Sequence, residues 1–275
     1  MSEFSPEVSN EAAAPQLTVT EAIANLRSPD LSLRYYAAWW LGKFRVSEPE
    51  VVDALIEALD DEADRTEMGG YPLRRNAARA LGKLGDRRAV PGLIRCLQCS
   101  DFYVREAAAQ SLEMLGDPAA VPALMRLIAD GVAVAERVPE RPHLQEPCEA
   151  VMEALGTLQA TEAIPLIQPF LEHPTKRVHY SAVRAMYQLT GDDAYGRRLV
   201  EALKGTDVVL RRVALSDLGA IGYLAAAEAI AQASAENSFK LIALKGLLER
   251  QIDPSAPNTL SNDAIRVMNL MDSLL

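Results

Sequence analysis

The sequence predicts an all-α solenoid, on two observations: a composition suited to helices and a two-helix unit that recurs along the chain. Of the 275 residues 49% are hydrophobic but only 5% aromatic, and Ala and Leu dominate, which is poor material for a sheet and good material for helices. Ala89-Val90-Pro91-Gly92-Leu93-Ile94 recurs as Ala120-Val121-Pro122-Ala123-Leu124-Met125 and as Ala163-Ile164-Pro165-Leu166-Ile167. Each string opens a helix with proline in the first turn, where its missing N–H costs nothing. A second helix follows each first one, typified by Val104-Arg105-Glu106-Ala107-Ala108-Ala109 with Leu112, Leu115, Gly116 and Asp117.

Registering on Arg105 aligns Arg34, Arg74, Arg105, Cys148, His179, Arg211 and Lys240, at intervals of 29 to 43 residues. A two-helix unit with a period of ~30–45 residues marks an α-solenoid of HEAT-repeat (armadillo-like) type, here about six to seven repeats. In each second helix the apolar places fall three or four apart. The small residue at the Ala108 place (Ala37, Ala77, Ala182, Ala214, Ala243) lets neighbouring helices approach. Glycine after the last turn supplies a left-handed stop. The Arg105 place is expected to tie repeats together through a turn aspartate such as Asp101 or Asp207, with His179 as a hydrogen-bonded member of the same ladder.

In chain order, residues 1–16 read as a disordered acidic leader and not a signal peptide, since they lack a basic stretch and an apolar core. Residues 17–253 form the solenoid. Two intervals are long because loops are inserted between paired helices, at residues 60–71 and 131–147. Such loops are either functional or merely tolerated. Residues 254–275 read as a linker and a C-terminal helix, whose Ile265, Met268, Leu270, Met271, Leu274 and Leu275 cap the last repeat or, alternatively, dock a partner.

Several classes of function are excluded or disfavoured. No apolar run approaches the ~18 residues a membrane helix needs. With 28 basic against 38 acidic residues, the charge of −10 disfavours a nucleic-acid partner held by phosphate contacts. Three cysteines make no disulfide framework and fit a reduced, cytoplasmic setting. Cys96-Leu97-Gln98-Cys99 has no second pair and His143, His173 and His179 lie apart, so no metal site is expected. There is no phosphate loop and no nucleophile elbow.

The informative feature is the outward face of the second helices. The places of Glu106 and Gln110 should point out, on the concave side. Through the repeats they read Tyr35 and Trp39, Arg75 and Arg79, Glu106 and Gln110, Glu149 and Glu153, Tyr180 and Arg184, Arg212 and Ser216, then Leu241 and Lys245. The first repeat thus puts two large rings where polar residues are expected, four apart on one ridge. Tyr36, Trp40 and Phe44 fall at core places. Tyr35 and Trp39 are covered by a neighbour or partner chain, or else they offer a surface to a flat conjugated ligand, with Arg74, Arg75 and Arg79 supplying anion contacts. Trp, Tyr and Arg would equally suit a protein interface.

These residues carry a resemblance. Arg34-Tyr35-Tyr36-Ala37-Ala38-Trp39-Trp40-Leu41-Gly42-Lys43-Phe44-Arg45, with Gly69-Gly70-Tyr71-Pro72-Leu73-Arg74-Arg75-Asn76 and Asp101-Phe102-Tyr103-Val104-Arg105-Glu106, is similar to the E/F-type phycobilin lyases, most of all to E subunits that serve the phycocyanin α subunit. The resemblance implies a cyanobacterial heterodimer with an F-type subunit. It implies attachment of phycocyanobilin, as bound substrate and not as prosthetic group, to a cysteine of the phycocyanin α subunit. The thioether forms by addition of that cysteine to the bilin's ethylidene group, so this chain needs no nucleophile of its own and would work by positioning. The propionates would go to Arg75 and Arg79 and the pyrrole rings to Tyr35 and Trp39. A proton donor would come from Tyr71, Tyr103 or Glu106. The competing readings are a non-catalytic HEAT adaptor or chaperone for phycobiliprotein assembly, and a lyase for a related phycobiliprotein.

Overall fold

The computed structural model describes residues 17–252 and 260–275. The expectations for residues 1–16 and for most of the linker lie outside the described residues. The described residues form seven helix pairs and a terminal helix. The pairs are α1 (Val19–Asn25) with α2 (Leu31–Lys43), α3 (Pro49–Ala58) with α4 (Pro72–Leu84), α5 (Val90–Cys96) with α6 (Phe102–Leu115), and α7 (Val121–Leu127) with α8 (Cys148–Thr157). They continue with α9 (Ile164–Ile167) and α10 (Lys176–Thr190), α11 (Asp193–Ala202) and α12 (Val208–Ile221), and α13 (Ala227–Gln232) and α14 (Asn237–Glu249), closed by α15 (Asn262–Asp272). Each second helix packs on the second helix before and after it, giving one continuous layer, while the first helices form the other. The all-α HEAT solenoid expected from the repeats is the architecture found.

Five of the seven pairs are tied by the ladder residue, but through a different acceptor from the one expected. The last carbonyls of a helix lack partners within it, and the ladder side chains reach them or the turn just beyond. Arg34 Nε donates to the Leu26 carbonyl at 2.9 Å, Arg74 Nε to Asp61 O at 2.6 Å and Arg105 Nη1 to Cys99 O at 2.7 Å. His179 Nδ1 meets Leu171 O at 2.6 Å and Arg211 Nη1 donates to Gly205 O at 2.6 Å. Asp101 and Asp207 instead cap their own helices, accepting from the Tyr103 and Val209 amides. A short aspartate at that position reaches the orphan amides of the first turn more readily than a side chain a full turn away.

The second helices come together through small residues. The Ala108-type alanines are all buried. Four glycines add closer contacts: Gly42 lies against Ala80, Gly82 against Ser111, Gly156 against Ala185 and Gly219 against Ala243. The expected left-handed glycine stops occur at Gly85, Gly116, Gly191 and Gly222. At the ends of α2 and α8, Arg45 and Gln159 adopt the same conformation without being glycine.

The terminal helix caps the last pair, but on another stripe. Ala264 and Val267 are fully buried, with Leu270, Met271 and Leu274 packed beside them, whereas Ile265 and Met268 face outward. Arg266 pairs with Glu228 of α13, which fixes the roll of α15.

A Cβ at Gly82 would stand 2.6 Å from Ser111 Oγ and 2.9 Å from Ser111 Cα. Gly82→Ala should therefore lower the unfolding free energy by about 1–3 kcal/mol through overpacking. Gly116→Ala, at φ 64° with open space around it, should cost about 1 kcal/mol from backbone strain alone. Urea titration of the two variants checks the order; equal losses would mean that helix approach is not limiting at Gly82.

Candidate functional site

Helix α2 is apolar on nearly every side. It buries Ala37, Ala38, Leu41 and Gly42, and its large rings go to the surface, with Tyr35 40% and Trp39 44% exposed. Tyr36 and Phe44, expected in the core, are exposed too, and Trp40 is half-buried. The reason is positional: α2 is the first second helix among the described residues, so one flank has no predecessor to cover it. The rings pair as Tyr36 with Trp39 at 5.5 Å and Trp40 with Phe44 at 5.1 Å, rather than Tyr35 with Trp39.

Helix α4 lies alongside, tied by Asn76 Nδ2 donating to the Tyr35 carbonyl at 3.3 Å. Arg79 is exposed. Arg75 is half-buried; its guanidinium carbon stands 5.8 Å from the centroid of Tyr103, and its buried Nε has no hydrogen-bond partner. Arg74 is engaged differently. Besides the Asp61 carbonyl it pairs with Glu62 and lies 4.2 Å from the Tyr71 ring centroid, so its guanidinium is taken up by the loop.

The two inserted loops flank the start of α6. In residues 60–71, the buried Asp64 accepts from the Leu73 amide at 2.6 Å and caps α4. The Tyr71 amide donates to Asp101 Oδ2 at 2.8 Å, and the Tyr71 hydroxyl to Glu62. Tyr71 is buried, and its hydroxyl is committed within the loop. Residues 131–147 fold as a short hairpin: the Val138 amide donates to His143 O, Gln145 to Glu136 O and Glu146 to Val134 O. Arg105 secures its end through Glu146 at 2.8 Å and the Gln145 carbonyl at 2.7 Å. The hairpin tip carries His143 onto Phe102, stacked at 4.5 Å and 9°, with Tyr103 edge-on to it at 5.7 Å.

Between hairpin, α6, α8 and α10 lies a cleft of about 220 Å³, with Tyr103, Glu106, His143, Glu149 and Arg177 in its lining. A shallower one of about 490 Å³ opens between the two loops, sharing Phe102, Tyr103 and His143. Of the proton-donor candidates, Tyr103 and Glu106 thus meet in one cleft and Tyr71 stands apart. Phe102, His143, Glu149 and Arg177 were not singled out from sequence as site residues; Glu149 stood only as one of the outward places of the repeat, and nothing in the repeat marks the hairpin tip. Burial pushes the Cys96 and Cys148 thiols up to about 12, so neither supplies a thiolate at neutral pH.

Further along the same layer Arg184, expected outward, is buried. It pairs with Glu113 of α6 at 2.7 Å, Glu153 of α8 at 3.0 Å and Asp217 of α12 at 3.5 Å. Burial places all these charges in competition for one guanidinium.

Helical repeats packed in two layers, with an open face of rings and arginines and a polar cleft beside it, define a HEAT-repeat protein. The family model for HEAT repeats matches residues 71–137, and that for the PBS lyase HEAT-like repeat matches residues 33–61 and 148–173. The chain is 70% identical over 95% of both lengths to the phycocyanobilin lyase subunit alpha of Nostoc sp., and 57% identical to that of Synechocystis sp. over 95% of this chain and 97% of the relative. It is 42% identical to the bilin biosynthesis protein PecE of Nostoc sp., covering 96% of this chain and 98% of that one. The solved complex of CpcE and CpcF of phycocyanin lyase from Nostoc sp. PCC7120 contains a chain that superposes with a TM-score of 0.90 at 70% identity, covering 99% of this chain and 100% of that one. The chain belongs to the phycocyanobilin lyase alpha-subunit family. No helix among the described residues is long and apolar enough to cross a membrane.

Burial, reinforced by Glu153, pushes the Asp217 carboxyl up to about 7. In the unfolded chain it releases its proton near the ordinary value of about 4. Between those values the native state keeps a proton that the unfolded chain has lost, so this group's contribution to stability declines as pH rises through the window and levels off above it. Asp217→Asn should remove that slope. Urea unfolding of wild type and variant at about pH 5 and at about pH 8 should show the difference shifting in the variant's favour at the higher pH; a constant difference would refute the raised value.

Proposed function

We propose that this chain is the E-type half of a heterodimeric phycocyanobilin lyase. It holds phycocyanobilin along the open face of the second helices and presents its ethylidene carbon to a cysteine of the phycocyanin α subunit. The observation that carries this is the exposure of Tyr35 and Trp39 beside Arg75 and Arg79, at places where the repeat calls for ordinary polar residues. The relatives named phycocyanobilin lyase subunit alpha, and the pairing of CpcE with CpcF, support a lyase partnered by an F-type subunit. The lower identity to PecE favours the phycocyanin cargo over a related phycobiliprotein.

In this mechanism the acceptor protein brings the thiol, and the chain's contribution is positioning. The faces of Tyr35 and Trp39 take the pyrrole rings. Arg75 and Arg79 take the propionates as charge-assisted hydrogen bonds, while Arg74 supports the loop that shapes the site. Tyr103 and Glu106 face the cleft from which a proton can be delivered. Phycocyanobilin enters as a substrate, and the buried thiols suit a reduced cytoplasm.

Mixing the purified chain with its F-type partner and phycocyanobilin should change the bilin absorbance, and adding the phycocyanin α subunit should give covalent colour. No spectral change with both subunits present would overturn the proposal. Trp39→Ala should reduce transfer roughly tenfold or more, the worth of one aromatic contact, with circular dichroism almost unchanged. Unfolding of that variant at low temperature would make the ring structural. Arg75→Ala with Arg79→Ala should weaken bilin binding more than partner binding, and the reverse order in a pull-down would make this stripe the subunit interface.

A further inference from the structure

The cleft holds an acid whose setting differs from that of the other candidates. Glu149 sits in the first turn of α8, its side chain 26% exposed. Glu106 of α6 faces it across the cleft and Glu153 follows one turn on in α8. The cation paired with it is Arg177 of α10, at 2.8 Å and 58% exposed at the rim. Arg137 and His143 of the hairpin line the same cleft. Burial raises the Glu149 carboxyl above the ordinary range; Glu153 and Glu106 act in the same direction, and Arg177 opposes them.

We infer that Glu149 is the proton-carrying group of this cleft, and that Arg177 is a gate coupling its protonation to the arrival of a carboxylate-bearing ligand. The inference rests on the proposed bilin-lyase function. Arg177 is more than half exposed at the rim, so its guanidinium can turn from Glu149 to one bilin propionate while Arg75 and Arg79 hold the other. Without Arg177, the influences left on the carboxyl are burial and the charges of Glu153 and Glu106, all of which favour its protonated form.

That proton is the one the addition needs. The acceptor's thiol adds across the ethylidene double bond: the carbon–sulfur bond forms at the exocyclic carbon, and the π electron pair passes to the ring carbon, which takes the proton from Glu149. The proton lost from sulfur passes to solvent; Glu149, left as the carboxylate, pairs again with Arg177 and takes up its next proton from solvent when another bilin binds. No oxidant or reductant is consumed.

The test uses the complete pair of this chain and its F-type partner, with phycocyanobilin and the phycocyanin α subunit. Proton uptake on bilin binding is read in weak buffer with an indicator dye, and covalent attachment is followed across the neutral pH range. Wild type should take up a proton as the bilin binds. Glu149→Gln should bind bilin without uptake, attach it roughly a hundredfold more slowly and lose the fall in rate at high pH. Arg177→Ala, at the exposed rim, should reduce the uptake and move that fall to higher pH, because the cation that opposes protonation of Glu149 is already gone. Wild-type uptake or rate in Glu149→Gln, or an unmoved profile in Arg177→Ala, would overturn the inference and leave the proposed function standing. Failure of the wild-type pair to bind bilin at all would overturn both.

Discussion

The structure depends on one recurring hydrogen bond. In five of the seven helix pairs a side-chain donor near the start of the second helix reaches a carbonyl left unpaired where the first helix ends. Such carbonyls, shielded from water, would otherwise carry the cost of a lost hydrogen bond. Satisfying them fixes how far each second helix slides past its first helix. Small residues then let the second helices touch at a matching height, as Gly42 does with Ala80 and Gly82 with Ser111. Once slide and height are set, the residues that point outward are set as well, and the open face with its rings and arginines follows.

The same bonds carry the inserted loops. Arg74 spends its guanidinium on Asp61, Glu62 and the Tyr71 ring; Arg105 spends its own on Cys99, Gln145 and Glu146. Each ladder residue at a long interval therefore acts twice, once for its helix pair and once for its loop. Asp101 joins the two systems by accepting from Tyr71 with one oxygen and from Tyr103 with the other. The loops converge on the first turn of α6 because that turn is anchored from both sides.

What the sequence revealed divides along the line between periodic and aperiodic structure. The repeat, the ladder positions and the outward places of Tyr35 and Trp39 were legible, because the same chemistry recurs at the same register. The ladder's acceptors were not, since a backbone carbonyl leaves no mark in a sequence. Tyr36 and Phe44 were misplaced because the template assumes a neighbour on each side, and α2 has one on one side only. The stacking of His143 on Phe102 depends on a hairpin of unique sequence, and the setting of Glu149 depends on Arg177, which belongs to the next repeat.

The electrostatics of the open face run from basic to acidic. Arg75 and Arg79 stand on α4; Glu106, Glu113, Glu149 and Glu153 follow on α6 and α8. Stability alone would not select this arrangement. Three carboxylates share the buried Arg184, leaving Asp217 Oδ2 and Arg184 Nε without partners, and such unmet polar groups lower stability. Local conflicts of this kind concentrate where function constrains sequence. On the proposed reading, a gradient from guanidinium to carboxyl along one helical face gives an extended ligand a preferred direction: a carboxylate is drawn toward Arg75 and Arg79 and the N–H groups toward the acidic end. On that reading, a molecule held in that sense has one end fixed by charge beside the rings, which leaves the other to be set by the cleft. Positioning catalysis requires that division of labour, because a partner's thiol can find the reactive carbon only if the ligand lies in one direction and not its reverse.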